Sequence, residues 1–359
     1  MQKLTAVHCK MEKNQKKRKY DIAFLNVLFC MMVVFIHISS EAVTQMNRSS
    51  MMFWAVYVIS RLCGFSVGGF VLLSGVKLML NAENMHFGRF YLSRLLSVVL
   101  PYAAWVCIYY AYFCITGSKS FSFGDLGHYI IFGDLWAHFY FVVVIVQFYI
   151  LAPLWVLLFK RANPVVAVAA ALIISMLSEN VDSILQVFGL NALGHNDILF
   201  TKYLSYWTAG CMIGRYYGEF TAYLKRRWIV ITLMFCIFTA AAAVLLVRCI
   251  GDEPYWLRNV YMLYAVFAIL FWYMTAQVFS GHDGAWLSPL AGIDKMTYHI
   301  YLIHCLVLVM ANNYMTAKGI TDLTVRYQWR AVLVYGGSIL LCLLWFASKS
   351  VIKKLIDHT

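Results

Sequence analysis

Charge is scarce in this sequence. Only 13% of the 359 residues are charged and 62% are hydrophobic, and the mean hydropathy is +0.72. A soluble domain is about a quarter charged, so a water-soluble fold would leave most of this apolar surface unburied. We therefore predict a polytopic membrane protein. Its spans should be helical, because a helix satisfies each backbone N–H and C=O group within its own segment.

Several other signals are absent. The ten cysteines include no C-x-x-C pair and lie mostly in apolar runs. This argues against a disulfide framework or a zinc site and indicates packing. The short alternating segments of an outer-membrane barrel are lacking. No small-residue cleavage site follows the apolar run at residues 20–40, which we interpret as a retained first span. No linker, low-complexity tract or repeat is visible.

Ten apolar runs approach the length of about 20 residues that a spanning helix needs. The sequence therefore predicts an all-α membrane bundle of about ten transmembrane helices over residues 20–352. A basic tail, residues 1–19, precedes this bundle and a short tail, residues 353–359, follows it. The predicted spans lie near residues 20–40, 52–80, 92–115, 137–159, 164–178, 199–217, 228–250, 257–279, 289–311 and 331–352.

The basic residues predict the orientation of these spans. The net charge is +13, and the longest basic stretch, KNQKKRK, precedes the first span. Loops on the same side are rich in Lys and Arg, whereas those on the other side are poorer and include Arg326 and Arg330. Lys and Arg gather on cytoplasmic loops, so we predict that both termini are cytoplasmic. This bias accounts for most of the basic excess without a nucleic-acid partner.

Three histidines are predicted to reach a similar depth in the membrane. His37 stands 17 residues after Tyr20, in the apolar stretch FCMMVVFIHIS, which corresponds to about 25 Å of helix. His138 opens the predicted fourth span and His304 lies two-thirds along the ninth. An ionisable group in a span is a functional-site hypothesis. The alternatives are an interfacial position for His138 and a structural hydrogen bond for His304. No ligand spacing supports a metal site, and we predict none.

Basic side chains form a second set of candidates. Arg61 lies within the predicted second span and must pair, line a water-filled cavity or bind an anion. A structural ion pair with Asp21 or Asp294 is the alternative. Lys77 and Arg94 lie near the cytoplasmic ends of their spans. They either reach lipid phosphate or bind the phosphates of a soluble anion.

Six segments together resemble the acyltransferase-3 family of integral-membrane acyltransferases, which modify bacterial surface polysaccharides, peptidoglycan and related molecules. The resemblance covers nearly the whole chain, and the segments occur in the family's order. They are YDIAFLNVLFCMMVVFIHI, SRLCGFSVGGFVLLSG with its final Ser-Gly pair, FYLSRLLSVVLPY, HFYFVVVIVQFYILAPL, KYLSYWTAGCMIGRYY and MTYHIYLIHCLVL. It implies an acyltransferase-3-like domain over residues 20–352 of a protein in the bacterial cytoplasmic membrane.

The resemblance also implies a reaction. An acyl group, usually acetyl, would pass from cytoplasmic acyl-CoA to a hydroxyl of a surface glycan or its lipid-linked precursor, with no bound cofactor. His37 matches the family's catalytic histidine and would act as a base or carry the acyl group. Asp21 and Asn26, on the same span, are the other implied catalytic residues. The implied donor-binding residues are Arg94, Arg61 and Lys77, and the implied acceptor-side residues are His138, Tyr301, His304 and Ser74.

Two positions depart from the family pattern, and one is Ser97, where the family often carries a second basic residue soon after the Arg94 position. The family usually carries Arg or Lys eleven residues before the histidine, where this chain has Asn26. Arg61 is a hypothetical substitute for that charge. Ser74 lacks a G-x-S-x-G context, so a close helix contact is the alternative role for it.

Two alternatives to the enzyme stay open. The protein is a transporter or flippase for a polysaccharide or its lipid-linked precursor, or it is an inactive scaffold in glycan assembly. The oligomeric state stays open.

Overall fold

The computed structural model describes residues 2–251, 257–280 and 287–357, with no strand in any of these ranges. The side chains of residues 2–19, 258–259, 287–288 and 350–357 lie outside the described part, as do residues 1, 358 and 359. The helices are α1 Gln2–Gln45, α2 Met51–Leu62, α3 Phe65–Leu80, α4 Phe87–Arg94, α5 Leu100–Ile115, α6 Phe123–Phe132, α7 Tyr140–Ile150, α8 Ala152–Arg161, α9 Pro164–Glu179, α10 Val181–Val187, α11 Leu204–Arg215, α12 Tyr217–Arg226, α13 Trp228–Arg248, α14 Leu257–Ser280, α15 Leu287–Ala317 and α16 Leu323–Asp357.

The protein is an all-α polytopic bundle, as predicted. Among the described residues, seven helical segments are long and apolar enough to cross a membrane. The count rises to nine if each of two bent pairs forms one span. These pairs are α7 with α8, bent by 56°, and α9 with α10, bent by 63°. Because the side on which the C-terminus lies depends on whether the count is even, the shared cytoplasmic position of the termini stays a prediction.

The predicted span at residues 199–217 is wrong as a single long helix. This region contains a 3-10 turn at Phe200–Tyr203 and then α11, which has only 12 residues. A helix of that length is about 18 Å long and does not cross the hydrocarbon core. It packs tightly on α3, because a Cβ atom at Gly210 would collide with the carbonyl oxygen of Leu72. Apolar composition here reflects burial within protein.

The chain divides into two compact units, residues 1–66 with 219–359, and residues 67–218. In the first unit α1 is central and contacts α2, α14, α15 and α16. Its apolar run continues as one helix because no proline or glycine interrupts residues 20–45. Leu25 and Phe29 lie on one side of the helix and Val34 and Ile38 on the opposite side, and all four are fully buried, as expected for a central helix. This packing fixes the face on which the polar residues of α1 stand.

The second unit is organised around Trp207 of α11. Its indole stacks on Phe148 of α7, with ring centres 4.4 Å apart and planes at 8°. Trp155 of α8 packs beside them. A π-helical turn, Leu95–Val99, joins α4 to α5 without a break, and Pro101 follows shortly after it.

Candidate active site

The histidines of α1 and α15 meet in the first unit. The ring centres of His37 and His304 are 5.1 Å apart, with planes at 55°. His304 is fully buried and His37 is half-buried. The two residues are 267 positions apart in the sequence, and their predicted similar depth is matched by this contact. The catalytic role of each stays a prediction.

The orientation of His304 is set by its own helix. Its Nδ1 atom lies 2.6 Å from the carbonyl oxygen of Tyr301, and its Nε2 atom lies 3.2 Å from Sγ of Cys305. A carbonyl oxygen can only accept, so Nδ1 carries the proton of the neutral ring. Nε2 is then an acceptor for the thiol of Cys305. Tyr301, predicted on the acceptor side, contacts His304 through this carbonyl and its ring.

Glu41 lies one turn after His37 on α1 and pairs with two arginines of α16. Its Oε1 atom accepts from Nε of Arg326 at 3.0 Å, with Nη2 of the same guanidinium at 2.8 Å. Its Oε2 atom accepts from Nη1 of Arg330 at 2.8 Å. Arg330 is only 2% exposed. One carboxylate between two guanidinium groups leaves this cluster with one excess positive charge.

Arg330 also contacts the turn that carries His37. Its Nη2 atom donates to the His37 carbonyl oxygen at 3.2 Å and to the Ser40 hydroxyl at 2.9 Å. That hydroxyl itself donates to the His37 carbonyl oxygen at 2.8 Å. The guanidinium therefore ties α16 to the backbone of His37. It is suited to hold the imidazole in place relative to His304.

Sequence reasoning missed Glu41 and misplaced its partners. Arg326 and Arg330 were predicted in an outer loop, but α16 begins at Leu323 and includes both. Their charges are accommodated in the helix because Glu41 neutralises one of them. The available signals were local spacings. Glu41 follows His37 by four residues, and the two arginines are also four residues apart, which places each pair on one helical face.

Polar residues near the start of the first apolar run face α14 and α15. Asn26 Nδ2 donates to Oδ1 of Asp294 at 2.8 Å. The Asp21 carboxylate accepts a hydrogen bond from the Ser280 hydroxyl. Asp21 and Asn26 are both buried, so these bonds satisfy groups that would be costly without partners. Arg61 is exposed, with its guanidinium 5.5 Å from the centre of the Tyr57 ring.

The remaining basic candidates belong to the second unit. Arg94 ends α4, and its guanidinium carbon lies 5.1 Å from the ring centre of Phe90 and 4.9 Å from that of Tyr149. Its Nε atom is buried without a hydrogen-bond partner. Cation–π contacts of this kind hold the group in a fixed orientation. Lys77 lies on α3, where its carbonyl oxygen accepts from Asn81.

The other two acceptor-side candidates also belong to the second unit. The Ser74 hydroxyl donates to the Phe70 carbonyl oxygen one turn back at 2.9 Å, which is typical of a structural serine in a helix. His138 is 1% exposed. Its ring centre lies 4.1 Å from that of Phe139 and 5.7 Å from that of Tyr109. The ring of His138 is thus buried among aromatic side chains, and its acceptor-side role stays a prediction.

One group of side chains in the described residues could hold a metal ion. Ligand atoms of His37, His304 and Cys305 all lie within 4.8 Å of one another. Two imidazoles and a thiol are donors of the kind that zinc prefers. The sequence had predicted no metal site, because Cys305 lies in an apolar run and the two histidines share no ligand spacing.

Comparison with known proteins gives one family and one distant relative. A family described as an acyltransferase domain, of the acyltransferase-3 type, matches residues 20–347. The chain is similar to a probable poly-beta-1,6-N-acetyl-D-glucosamine export protein of Staphylococcus epidermidis. The two are 21% identical over 309 residues, which cover 82% of each chain. No solved structure gives a significant match.

Proposed function

This chain belongs to the acyltransferase-3 family, and on that premise we propose that it is a membrane O-acyltransferase with His37 at its catalytic centre. The acyl group, an acetyl group in our proposal, comes from cytoplasmic acyl-CoA and is transferred to a hydroxyl of a cell-surface glycan or its lipid-linked precursor. The protein works in the bacterial cytoplasmic membrane. The observation that carries the proposal is the contact of His37 with His304, beside the Glu41–Arg330 pair.

The proposed reaction requires a base at the acceptor hydroxyl. His37 accepts the hydroxyl proton, and the oxygen attacks the thioester carbonyl of the donor. The new C–O ester bond forms, the C–S bond breaks, and the CoA thiolate takes up a proton. Imidazole suits this role because its ordinary pKa lies near neutrality. His304 is the second imidazole at this point and packs against the His37 ring.

The charges around His37 support the same reading. Negative charge develops on the thioester oxygen and then on the leaving sulfur as the acceptor attacks. Glu41, Arg326 and Arg330 together carry one net positive charge, which favours such a transition state over the neutral ground state. Arg330 also holds the His37 turn through its bonds to the backbone and Ser40. We assign Arg330 as a positioning residue.

Donor binding is assigned to three basic residues. Acyl-CoA carries several phosphate charges, for which arginine is a strong ligand. Arg94 is our first candidate, since two aromatic rings orient its guanidinium and one N–H group has no partner. Arg61 and Lys77 complete the assignment. Asn26 donates to Asp294 at the position where the family usually has a cation, so Arg61 is proposed to supply that charge.

The test of this function uses purified protein in liposomes with labelled acetyl-CoA and a surface-glycan extract. Label transfer and release of free CoA are followed together. His37→Gln and His304→Gln should lose transfer, because the first removes the base and the second removes the ring that packs against it. His299→Gln is the matched control. His299 is also half-buried on α15, but its ring packs against Phe346.

A positive result is transfer by wild type and by His299→Gln but not by His37→Gln. Normal transfer by His37→Gln at normal expression would remove His37 from the catalytic centre. Wild-type protein that binds acyl-CoA but transfers no label to any acceptor fraction would argue against the enzyme itself.

A second function, polysaccharide export, is favoured by one observation. The Staphylococcus epidermidis relative is named as a probable export protein. If this chain acts in that way, glycan should cross proteoliposomes without acyl-CoA. The same preparation separates the two functions, because export moves unmodified glycan whereas acyl transfer consumes donor and releases CoA.

A further inference from the structure

The three-residue cluster of His37, His304 and Cys305 has features that proton transfer does not require. One ligand comes from α1 and two come from α15, and their donor atoms lie within 4.8 Å of one another. His304 and Cys305 are fully buried. His37 is half-buried, and Ser40, one turn further along α1, is exposed. The cluster is therefore closed on the α15 side and most accessible beside His37.

His304 is already oriented as a metal ligand would be. Its Nδ1–H group donates to the Tyr301 carbonyl oxygen at 2.6 Å, so the lone pair on Nε2 points away from that carbonyl. A backbone carbonyl on the second ring nitrogen is the usual partner of a metal-bound histidine, because it fixes the tautomer and the ring orientation. The lone pair faces Sγ of Cys305 at 3.2 Å.

We propose that His37, His304 and Cys305 form a zinc-binding site. Bonds of about 2.0–2.1 Å to nitrogen and about 2.3 Å to sulfur imply ligand separations of roughly 3.3–3.6 Å in a tetrahedral site. The His304–Cys305 pair is already close to that separation, at 3.2 Å. The third ligand needs an adjustment of about an ångström, given the 4.8 Å limit for the group. The fourth position is left for water.

The donor set selects the metal. Two imidazoles and a thiolate suit Zn²⁺, whereas Mg²⁺ and Ca²⁺ require oxygen ligands. On binding, the S–H bond of Cys305 breaks, the Zn–S bond forms, and the proton goes to solvent. Each imidazole lone pair replaces a water of the hydrated ion, and no electron is transferred. The thiolate cancels one of the two metal charges, which limits the charge added to this buried region.

Zinc at this site would switch off the enzyme. The His37 lone pair bound to zinc cannot accept the proton of the acceptor hydroxyl. This consequence rests on the proposed acyl transfer, but the binding site itself does not. Zinc inhibition that a chelator reverses is therefore the expected regulatory behaviour.

The first measurement is a Co²⁺ titration of the full-length protein in detergent, followed by optical absorption. Cobalt bound to a thiolate absorbs in the near ultraviolet through sulfur-to-metal charge transfer. Wild type should show this band at one metal per chain, and Zn²⁺ but not Mg²⁺ should abolish it. Cys305→Ser should lose the band. Cys342→Ser should keep it, since Cys342 is also buried in the first unit but is not part of the cluster.

The second measurement is zinc inhibition of acyl transfer, expressed for each variant relative to its own activity in chelator. Half-inhibition in Cys305→Ser should require at least about tenfold more Zn²⁺ than in wild type or Cys342→Ser. No band in wild type, or an equal band in Cys305→Ser, overturns the site. A band without any acyl transfer upholds the site and argues against the enzyme. Acyl transfer without a band overturns the zinc site and supports the enzyme.

Discussion

Replacing Arg330 by methionine tests whether this guanidinium positions His37. The change removes its bonds to Glu41, to the His37 carbonyl oxygen and to the Ser40 hydroxyl. Methionine has a similar length and no charge, so the buried volume is largely kept. Arg326→Met is the matched control. Arg326 also bonds Glu41, but its other bonds go to Thr316 and Ile320.

The expected loss of stability is similar in the two variants. Removing one partner of a buried ion pair costs about 3–5 kcal/mol. Here Glu41 keeps its second arginine in either variant, so the lower end, about 3 kcal/mol, is the expected magnitude. Both variants should therefore melt at a similarly reduced temperature in detergent, as measured by loss of the monodisperse peak after heating.

The expected loss of activity differs between Arg330→Met and Arg326→Met. Only Arg330→Met releases the turn that carries the base, and a displacement of about 1 Å at a reacting group costs up to about a hundredfold in rate. We expect kcat to fall at least about tenfold in Arg330→Met, with little change in KM for the donor. Arg326→Met also removes the excess charge of the cluster but leaves the His37 turn held by Arg330, so its kcat should stay well above that of Arg330→Met when both are assayed below their melting temperatures.

Two results would refute this reasoning. Equal kcat values in the two variants would mean that the His37–Arg330 contact has no role beyond stability. A rise in KM with unchanged kcat in Arg330→Met would instead make Arg330 a substrate ligand. The double variant Glu41→Gln with Arg330→Met checks the electrostatic part, because it removes one charge of each sign. It should melt above the single variant Glu41→Gln, in which two guanidinium groups lose their shared carboxylate.

Three further predictions concern other parts of the chain. Arg94→Ala should raise KM for acyl-CoA at least about tenfold with kcat unchanged, because a charge-assisted phosphate contact is lost; an unchanged KM would make it a lipid anchor. Gly210→Ala should lower the melting temperature by an amount equivalent to about 1–3 kcal/mol, whereas Gly218→Ala, with open space around it, should not; equal melting would contradict the close helix contact. Asn26→Arg should form an ion pair with Asp294 and increase acyl transfer in steady-state assays; reduced transfer would mean that the amide is required.

The sequence alone predicted a membrane protein, because a strongly apolar composition requires apolar surroundings. A chain that is 62% hydrophobic must place its apolar surface in lipid or in protein, and helices solve the backbone problem in both. The shared depth of His37 and His304 also followed, since residue counts along spans translate directly into height. The tertiary structure added the contact between their rings.

The sequence could not distinguish a span from a short buried helix. The apolar window at residues 199–217 looked like a crossing, but α11 is only 12 residues long. Gly210 lies against the backbone of α3, so its surroundings are protein. Hydropathy measures the tendency to leave water and carries no information on which apolar partner is found.

Hydropathy and span order therefore determined the helical membrane fold and the similar depth of His37 and His304 in the membrane. Only the tertiary structure decided their surroundings. Glu41 and Arg330 are 289 residues apart, and no local sequence pattern links them. In the sequence, Cys305 resembles a packing residue. In the structure, its Sγ atom lies 3.2 Å from Nε2 of His304. Which side chains meet depends on how each helix is rotated about its axis. Packing against helices far away in the sequence sets this rotation, and local sequence patterns do not report it.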